Sequence, residues 1–327
     1  MTAVLVAGSA NLDLVVRAAR VPAPGETILG RDFARYPGGK GANQAVASAR
    51  AGGAPTRMLV ALGDDADAKP LEASLRGAGV ECAIVRSAEP TGVALICVAD
   101  DAENAIVVAP GANATLAAAD LPPLDGVAVL LMPLESPLDA VEAWARAARA
   151  AGARVVLNAA PAPPGGVPET LLSLVDVLVV NEGELGAVAR ARGCRDDAFA
   201  ARFDATGVDC VVATLGALGA CARDRHGWHL QPGFPVEPVD TTGAGDTFCG
   251  VLAASLARGD ALDAALRRAC AASALACTRP GAQTGVPSAA EVDALLASTA
   301  DAADARARLA ARVELPAVPR SVPPARP

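Results

Sequence analysis

Residues 177–193 read VLVVNEGELGAVARARG, and this stretch indicates the fold class of the chain. Its first four residues form a short, continuous apolar run, which is typical of a parallel strand buried on both faces. An alanine-rich helical pattern follows at once and ends at Gly193, because glycine commonly stands just past the end of a helix. The stretch therefore predicts a strand joined directly to a helix, the unit repeated in α/β folds.

Further strands of this kind occur along the chain, with helical patterns between them. They are Val4–Ala7, Val127–Met132, Arg154–Leu157 and Val211–Thr214. The alternation predicts an α/β fold with a doubly wound, mostly parallel central sheet flanked by helices. In such sheets, ligands bind beyond the carboxyl ends of the strands.

Two stretches lack this alternation. Residues 27–36 and 91–108 are strand-rich without a helical pattern, so we expect them to form a small antiparallel β lid over a site. We expect a single domain over residues 1–297. Residues 298–327 are expected to form a tail that starts as a helix, becomes Pro-rich and is disordered.

The composition excludes several classes of protein. A formal net charge of −8 argues against nucleic-acid binding, which needs a basic surface. The longest apolar runs, such as Val127–Leu134, are too short to span a membrane. The eight cysteines form no C-x-x-C pair, so we expect reduced residues in the core. The first five residues lack the basic start of a secretory signal, which predicts a cytoplasmic protein.

Residues 239–248 read VDTTGAGDTF, a glycine turn that opens a helix and carries one carboxylate. Gly243, Ala244 and Gly245 let backbone N–H groups face a ligand, and a helix N-terminus attracts anions such as phosphate. Asp246 is an unusual residue for phosphate binding itself. It fits a general base that takes a proton from a hydroxyl as that hydroxyl attacks phosphorus. The turn therefore predicts phosphoryl transfer.

Two segments near the N-terminus carry groups suited to hydroxyls. Asn11 and Asp13 project to the same face of an extended segment and can grip two adjacent hydroxyls, although a turn after the first strand is the alternative. In the segment GGKGAN, the glycines, Gly39 among them, let the backbone close on a polyhydroxyl ligand while Lys40 and Asn43 supply donors. A flexible loop with a solvated lysine is the alternative for this segment.

Two further segments are suited to a nucleotide. Asn181 and Glu184 follow the strand at 177–180 and form either a simple helix cap or a site for phosphate and water-bound Mg²⁺. Residues 214–219 read TLGALG, a strand-to-glycine turn against which a nucleotide can lie. Without other support this segment is only a tight turn.

Together these segments resemble the PfkB (ribokinase-like) family of carbohydrate kinases from about residue 4 to about residue 296. Its two signatures are matched by GGKGANQA at residues 38–45 and DTTGAGDTF at residues 240–248. The resemblance implies ATP-dependent phosphorylation of D-ribose at the 5-hydroxyl, with ATP, Mg²⁺ and a K⁺ activator. A relative acting on deoxyribose, another sugar or a nucleoside is the alternative, and a non-catalytic sugar-sensing protein is a remote one.

The resemblance also implies roles for individual residues. The sugar would be held by Asn11, Asp13, Gly39, Lys40, Asn43 and Glu135, with Asp246 as the base and residues 243–245 as an anion hole. ATP and Mg²⁺ would bind at Asn181, Glu184, Thr214, Leu215, Gly216, Gly219, Gly245 and Cys270. The K⁺ ion would bind, largely through carbonyls, at Asp240, Thr242, Ala276, Arg279, Gly281 and Gly285.

The chain departs from the family pattern at two of these positions. Gly285 stands where related enzymes often have serine, and Cys270 stands where histidine or asparagine commonly meets the nucleotide. The resemblance further implies a homodimer formed through the lid strands.

Overall fold

Strands and helices alternate over most of the computed structural model, which describes residues 3–101, 103–300 and 303–315. The strands are β1 Ala3–Ala7, β2 Asn11–Arg17, β3 Arg31–Gly38, β4 Thr56–Gly63, β5 Glu81–Ser87, β6 Gly92–Val98, β7 Asn104–Ala109, β8 Val127–Pro133, β9 Arg154–Asn158, β10 Val177–Asn181, β11 Val211–Thr214, β12 Gly219–Asp224 and β13 Gly227–Pro232. The helices are α1 Lys40–Arg50, α2 Ala68–Gly77, α3 Leu138–Ala150, α4 Glu169–Leu172, α5 Glu182–Ala191, α6 Phe199–Thr206, α7 Ala244–Arg258, α8 Leu262–Ala276, α9 Ala289–Ser298 and α10 Ala303–Arg312.

Nine of these strands form one large sheet in the order β13-β12-β11-β10-β9-β8-β1-β4-β5. All pairings from β11 to β5 are parallel, and the two pairings at one edge, β11 with β12 and β12 with β13, are antiparallel. The predicted doubly wound, mostly parallel sheet is confirmed. The carboxyl ends of its parallel strands consequently meet at one edge, where a site is expected.

Helices cover both faces of the large sheet, and the strands are apolar on both sides. In β1, Val4 and Val6 belong to one core cluster with α1, α7 and α8, whereas Leu5 and Ala7 belong to a second cluster with α3. Successive side chains of a strand point to opposite faces, so a continuous apolar run fits two-sided burial. This explains why the strands appear in the sequence as unbroken apolar runs.

A separate four-stranded sheet, called the lid below, has the order β3-β2-β6-β7. The predicted small sheet is thus present, with two differences in detail. First, the lid includes β2, so residues 11–17 belong to it. Second, β2 pairs parallel with β6, while its pairing with β3 and that of β6 with β7 are antiparallel. The parallel pair fits the way the chain enters the lid. β2 follows β1 after three residues and β6 follows β5 after four, and β1 and β5 run in the same direction in the large sheet.

The C-terminal helix α10 packs on the large sheet. Leu309 and Ala310 are buried in the second core cluster, and Arg306 Nη2 donates to the Leu230 carbonyl oxygen of β13 at 2.8 Å. The disorder predicted for the Pro-rich end concerns mainly residues 316–327, which lie outside the described residues. Among the described helices, none combines the length and the apolar character needed to cross a membrane.

Candidate active site

The turn predicted at residues 239–248 forms the N-terminus of α7. Gly243 precedes the helix with φ 75°, in the left-handed region that favours glycine. A Cβ built there would lie 2.8 Å from the Cα of Ala282, so a larger residue would also collide with a neighbouring turn. The N–H of Ala244 donates to a carbonyl of its own turn at 3.2 Å, whereas that of Gly245 has no acceptor within the helix. This helix end can therefore attract an anion.

Asp246 lies in the first turn of α7 and is only 8% exposed. Asn43 Nδ2 donates to its Oδ2 at 2.9 Å, and Gln44 Nε2 donates to its Oδ1 at 3.1 Å. Both partners lie on α1, which approaches α7 closely because Gly250 of α7 has no side chain. A Cβ at this position would lie only 2.3 Å from the Gln44 carbonyl oxygen. The two helices therefore hold the carboxylate in one orientation.

Asn11 and Asp13 lie two residues apart on β2, with their side chains fixed by neighbours. Asn113 Nδ2 donates to Asn11 Oδ1 at 2.8 Å. The Asp13 carboxylate fills the space beside Gly38, where a Cβ would lie 2.1 Å from Oδ2. We expected the glycines of this loop to let the backbone close on a ligand. In the structure, Gly38 instead makes room for a carboxylate of the site.

Burial, together with the nearby charges of Glu135 and Asp246, raises the pKa of the Asp13 carboxyl to about 7. The three carboxylates therefore share one small region. Carboxylates accept hydrogen bonds, so a ligand with several hydroxyl donors suits this cluster. Asp13 also lines a cleft of about 840 Å³ between the lid and residues 238–242 and 280–282.

Glu135 stands between the loop after β1 and the start of α1. Its Oε2 accepts a hydrogen bond from Ser9 Oγ at 2.5 Å and another from the Lys40 backbone N–H at 3.1 Å. Because one carboxylate oxygen joins both segments, Glu135 fixes their separation. Glu135, which the sequence predicts to contact the sugar, therefore also supports the loop around Gly39.

Lys40 lies near three carboxylates, those of Asp246, Glu135 and Glu184. The charge of Asp246 raises the pKa of Lys40 most, burial opposes this rise, and the charges of Glu135 and Glu184 add to it. The residue lines a polar cavity of about 140 Å³, whose other lining residues include Asn158, Asn181, Glu184, Thr214, Gly243, Gly245 and Asp246. The structure thus groups Lys40 with the residues predicted to serve ATP.

Asn181 and Glu184 cap the N-terminus of α5. The Glu184 N–H donates to Asn181 Oδ1 and the Asn181 N–H donates to Glu184 Oε2, both at 2.8 Å. The simple capping interpretation is therefore correct for these contacts. Both residues also line the polar cavity, and burial raises the pKa of Glu184. A cap and a place in the site are compatible here.

An apolar pocket of about 360 Å³ adjoins the start of α7. Its lining includes Thr214, Gly216, Gly219, Phe234, Gly245, Phe248, Cys270 and Cys277. Most of the residues predicted to meet the nucleotide are therefore brought together. Leu215 is an exception, because its side chain packs against the second core cluster. A flat, mostly apolar group fits this pocket.

The turns predicted to hold a monovalent cation lie next to the catalytic turn. The Thr242 N–H donates to Asp240 Oδ1 at 2.9 Å, and the Gly281 N–H donates to Asp240 Oδ2 at 2.8 Å. Burial acts to raise the pKa of Asp240, but these hydrogen bonds hold it below its usual value. Asp240 therefore joins the two turns as a carboxylate.

Three backbone carbonyls converge beside Gly285. A Cβ on this glycine would lie 2.7 Å from Gly281 O, 3.0 Å from Ala276 O and 3.2 Å from Arg279 O. The Arg279 side chain donates a hydrogen bond to Glu291, so only the backbone carbonyl of Arg279 faces this group of oxygens. The six predicted cation residues thus occupy two adjoining turns.

Comparison with known proteins agrees with this geometry. The model of the pfkB family of carbohydrate kinases matches residues 1–289. The chain belongs to the PfkB family of carbohydrate kinases. Ribokinase of Haemophilus influenzae is 36% identical over 86% of this chain and 94% of its own length. Ribokinase of Schizosaccharomyces pombe is 38% identical over 90% of this chain and 97% of its own length. A deoxyribokinase of Salmonella typhi is 32% identical over 87% of this chain and 95% of its own length.

Solved structures of PfkB-type kinases share the fold. The ribokinase of Thermotoga maritima superposes with a TM-score of 0.83 at 32% identity, covering 91% of this chain and 100% of the other. The ribokinase of Arabidopsis thaliana, solved with ribose and ATP, superposes with a TM-score of 0.79 at 30% identity over 91% and 100%. The ribokinase-like architecture predicted from the sequence is confirmed.

Several polar residues of this PfkB-family site were not among the predicted site residues. They are Ser9, Gln44, Asn113, Asn158 and Gln283, which hydrogen-bond to predicted residues or to one another. Gln44 and Asn158 had a usable signal, because each follows a segment already recognised. Gln283 lies between the predicted Gly281 and Gly285, but its contact with Asn43 had no local signal because the two residues are 240 positions apart in sequence.

Proposed function

We propose that this PfkB-family kinase transfers the γ-phosphoryl group of ATP to the 5-hydroxyl of D-ribose. One observation carries the proposal: the buried Asp246 carboxylate lies at a helix N-terminus, between a cluster of hydroxyl-accepting side chains and a polar cavity that contains Lys40. Relatives that carry the name ribokinase, and the ribose and ATP bound in one of the similar structures, support ribose as the sugar.

In the proposed reaction, Asp246 takes the proton of the 5-hydroxyl while that oxygen attacks the γ-phosphorus in line. The bond from phosphorus to the β,γ-bridging oxygen breaks, and ADP leaves with its electron pair. Asn43 and Gln44 keep the carboxylate in place through their hydrogen bonds. Such a reaction depends mainly on positioning and electrostatic stabilisation.

The charge that develops on the transferred group has partners on both sides. The N-terminus of α7 at residues 243–245 supplies N–H donors and partial positive charge, and Lys40 supplies a full charge from α1. The Asn11 amide can donate hydrogen bonds to the other sugar hydroxyls or accept hydrogen bonds from them, and the Asp13 carboxylate accepts hydrogen bonds from them. The adenine lies in the apolar pocket beside Phe248 and Cys270.

The residues of the polar cavity fit Mg²⁺ as this ion usually binds, through one carboxylate, waters and phosphate oxygens. Glu184 is the half-buried carboxylate of that cavity, and Asn181 fixes its backbone. Mg²⁺, when bound, neutralises charge on the β- and γ-phosphate oxygens. Glu184 would hold the ion and would thereby help to orient the triphosphate.

The carbonyls around Gly285 fit a monovalent cation such as K⁺, because they present convergent oxygens where any side chain would collide. The cation would stabilise the turns that Asp240 joins and thereby the adjoining anion site.

We expect replacement of K⁺ by a bulky organic cation to lower kcat. Gly285→Ala should remove this dependence because its methyl group would occupy the cradle. Gly77→Ala is the control, since a Cβ there meets no atom within 4 Å. An unchanged response to K⁺ in the Gly285 variant would exclude the site.

We also propose that two copies of the chain pair through their lids. Ile96 lines the cleft, so its neighbour Leu95 points to the outer face of the lid, where it is 54% exposed. Val107, opposite Leu95 on β7, is 66% exposed. Sedimentation equilibrium should give a dimer for the wild type and a monomer for Leu95→Glu with Val107→Glu. A monomeric wild type would contradict the proposal.

The substrate is tested by steady-state kinetics on a panel containing ribose, 2-deoxyribose, other pentoses, fructose and adenosine, with and without K⁺. We expect the highest kcat/KM for ribose. The deoxyribokinase among the relatives favours 2-deoxyribose as the second candidate. Removal of the 2-hydroxyl should cost about tenfold or more if that hydroxyl is bound by a charged group. A kcat/KM for fructose or adenosine equal to that for ribose would overturn the assignment.

A further inference from the structure

Gln283 does not touch Asp246, yet it contacts the residue that orients Asp246. It lies in the turn between Gly281 and Gly285, with 4% of its surface exposed. Its Nε2 donates to Asn43 Oδ1 at 3.1 Å, and its Oε1 accepts from Ser74 Oγ at 2.5 Å. A buried amide with both ends satisfied is held firmly, because leaving either end unpaired is unfavourable.

The hydrogen bonds run in one direction from α2 to α7. The Ser74 hydroxyl donates to Gln283, Gln283 donates to Asn43, and Asn43 Nδ2 donates to Asp246 Oδ2 at 2.9 Å. A carboxylate only accepts, so Asn43 must present its NH₂ group to Asp246 and its oxygen to the other side. Gln283 supplies the donor which that buried oxygen needs.

We infer that Gln283 is a positioning residue for the phosphoryl transfer, acting on Asp246 through the amide orientation of Asn43. The inference rests on the proposed function, in which Asp246 is the base. Without the Gln283 donor, the Asn43 oxygen is left buried and unpaired. Asn43 then turns to find another donor, and the carboxylate loses one of its two side-chain partners.

The turn around Gln283 is closed, which suits a positioning role. The Gly285 N–H donates to the Gly281 carbonyl oxygen at 2.8 Å, and the Val286 N–H donates to the Gln283 carbonyl oxygen at 3.4 Å. The side chain therefore projects from a backbone that is itself hydrogen-bonded. Because Asn43 and Asp246 belong to different helices, Gln283 stabilises their relative position from a third segment of the chain.

The test compares Gln283→Met and Gln283→Glu with wild type. Methionine keeps the length of the side chain but removes the donor, and we expect kcat for the sugar to fall at least about tenfold, with the ATP KM within about twofold. Glutamate accepts only, so it draws the Asn43 NH₂ group away from Asp246, and kcat should fall further than in the methionine variant. A methionine variant with wild-type kcat would mean that Gln283 only fills space, and the inference would fail.

The control is Gln231→Met, which removes another buried amide, one that donates to the Pro232 carbonyl oxygen at 2.8 Å. We expect this variant to lose a similar amount of thermal stability while its kcat stays unchanged. Ser74→Ala provides a milder second variant, with a loss of about twofold to fivefold in kcat, because Gln283 keeps its contact with Asn43. An equal loss of kcat in the Gln231 variant would mean that general destabilisation explains the effect.

A structural readout separates this inference from the proposed substrate. In a crystal structure of the Gln283→Glu variant, we expect Asn43 Nδ2 to have moved out of hydrogen-bond distance from Asp246. An Asn43–Asp246 hydrogen bond like that of wild type would overturn the inference, whatever sugar the enzyme uses. A wild type that phosphorylates no member of the sugar panel would instead contradict the proposed function.

Discussion

The two halves of the site are built on different principles. On the lid side, Asn11 and Asp13 are buried polar side chains: Asn113 donates a hydrogen bond to Asn11, and the Asp13 carboxylate fills the space beside Gly38. On the nucleotide side, the pocket beside Phe248 and Cys270 is mostly apolar, and glycines form part of its wall. In the proposed function, the sugar would be recognised by specific polar groups, whereas the nucleotide base would be recognised by the shape of an apolar wall.

Asp246 lies where the two halves meet, so its loss should have the largest effect. Asp246→Asn removes the proton acceptor, and we expect kcat to fall about 10²- to 10⁴-fold, the range typical of general-base removal. Both KM values should change much less. The control is Asp204→Asn, an exposed carboxylate on α6 paired with Arg223. Turnover close to wild type would show that Asp246 is not the base.

A substitution on the lid side should affect only the sugar. Asp13→Asn removes a charged acceptor, and hydrogen bonds to charged groups are worth about 1.5–3 kcal/mol, so the ribose KM should rise about 10- to 150-fold. The ATP KM should stay within about twofold. Asp101→Asn, at an exposed lid turn, is the matched control. Equal rises in both KM values would contradict the proposed division of the site.

The pH dependence of sugar binding should reveal the same carboxylate. Since the pKa of Asp13 is raised to about 7, the carboxylate predominates above this pH and the neutral acid below it. If the carboxylate form binds ribose, the ribose KM is constant above pH 7 and rises toward about tenfold per pH unit below it. KM measured in the Asp13→Asn variant should lack this dependence. A wild-type KM that stays flat down to about pH 5.5 would rule out Asp13 as the titrating contact.

A substitution on the nucleotide side should have the smallest effect. Cys270 contributes to an apolar wall, so Cys270→Ala loses about as much as one methylene, roughly 0.8 kcal/mol. The ATP KM should therefore rise no more than about fourfold, and the ribose KM should not change. A rise of more than about tenfold would mean that the thiol contacts the nucleotide specifically.

Most of the fold was predictable because burial on both faces leaves an unbroken apolar run in the sequence. β1, β8 and β10 were recognised in this way. The membership of β2 in the lid was not, because the short segment with Leu12 and Leu14 between polar residues fitted a turn after β1 as well as a strand. Only the pairing of β2 with β3 and β6 distinguishes the two, and pairing partners are not encoded locally.

The candidate site was predictable where the chemistry is concentrated in one short segment. Asp246 and Gly243 fall within four residues, and the geometry agrees with their expected placement. Lys40 was assigned to the sugar, but its side chain lies among the residues of the polar cavity. Its position depends on the packing of α1 against α7, which no local pattern in the sequence describes.

The short connection between β1 and β2 has a consequence for the order of events during turnover. Only residues 8–10 separate a strand of the large sheet from the lid strand that carries Asp13. A sugar bound by Asp13 and in contact with Asp246 would connect the lid to the main body, acting as a removable crosslink. Opening the lid would then require the sugar's hydrogen bonds to break, whereas the residues that line the apolar pocket beside Phe248 belong to none of the lid strands. In the proposed function, an occupied sugar site would therefore govern how long the lid stays closed.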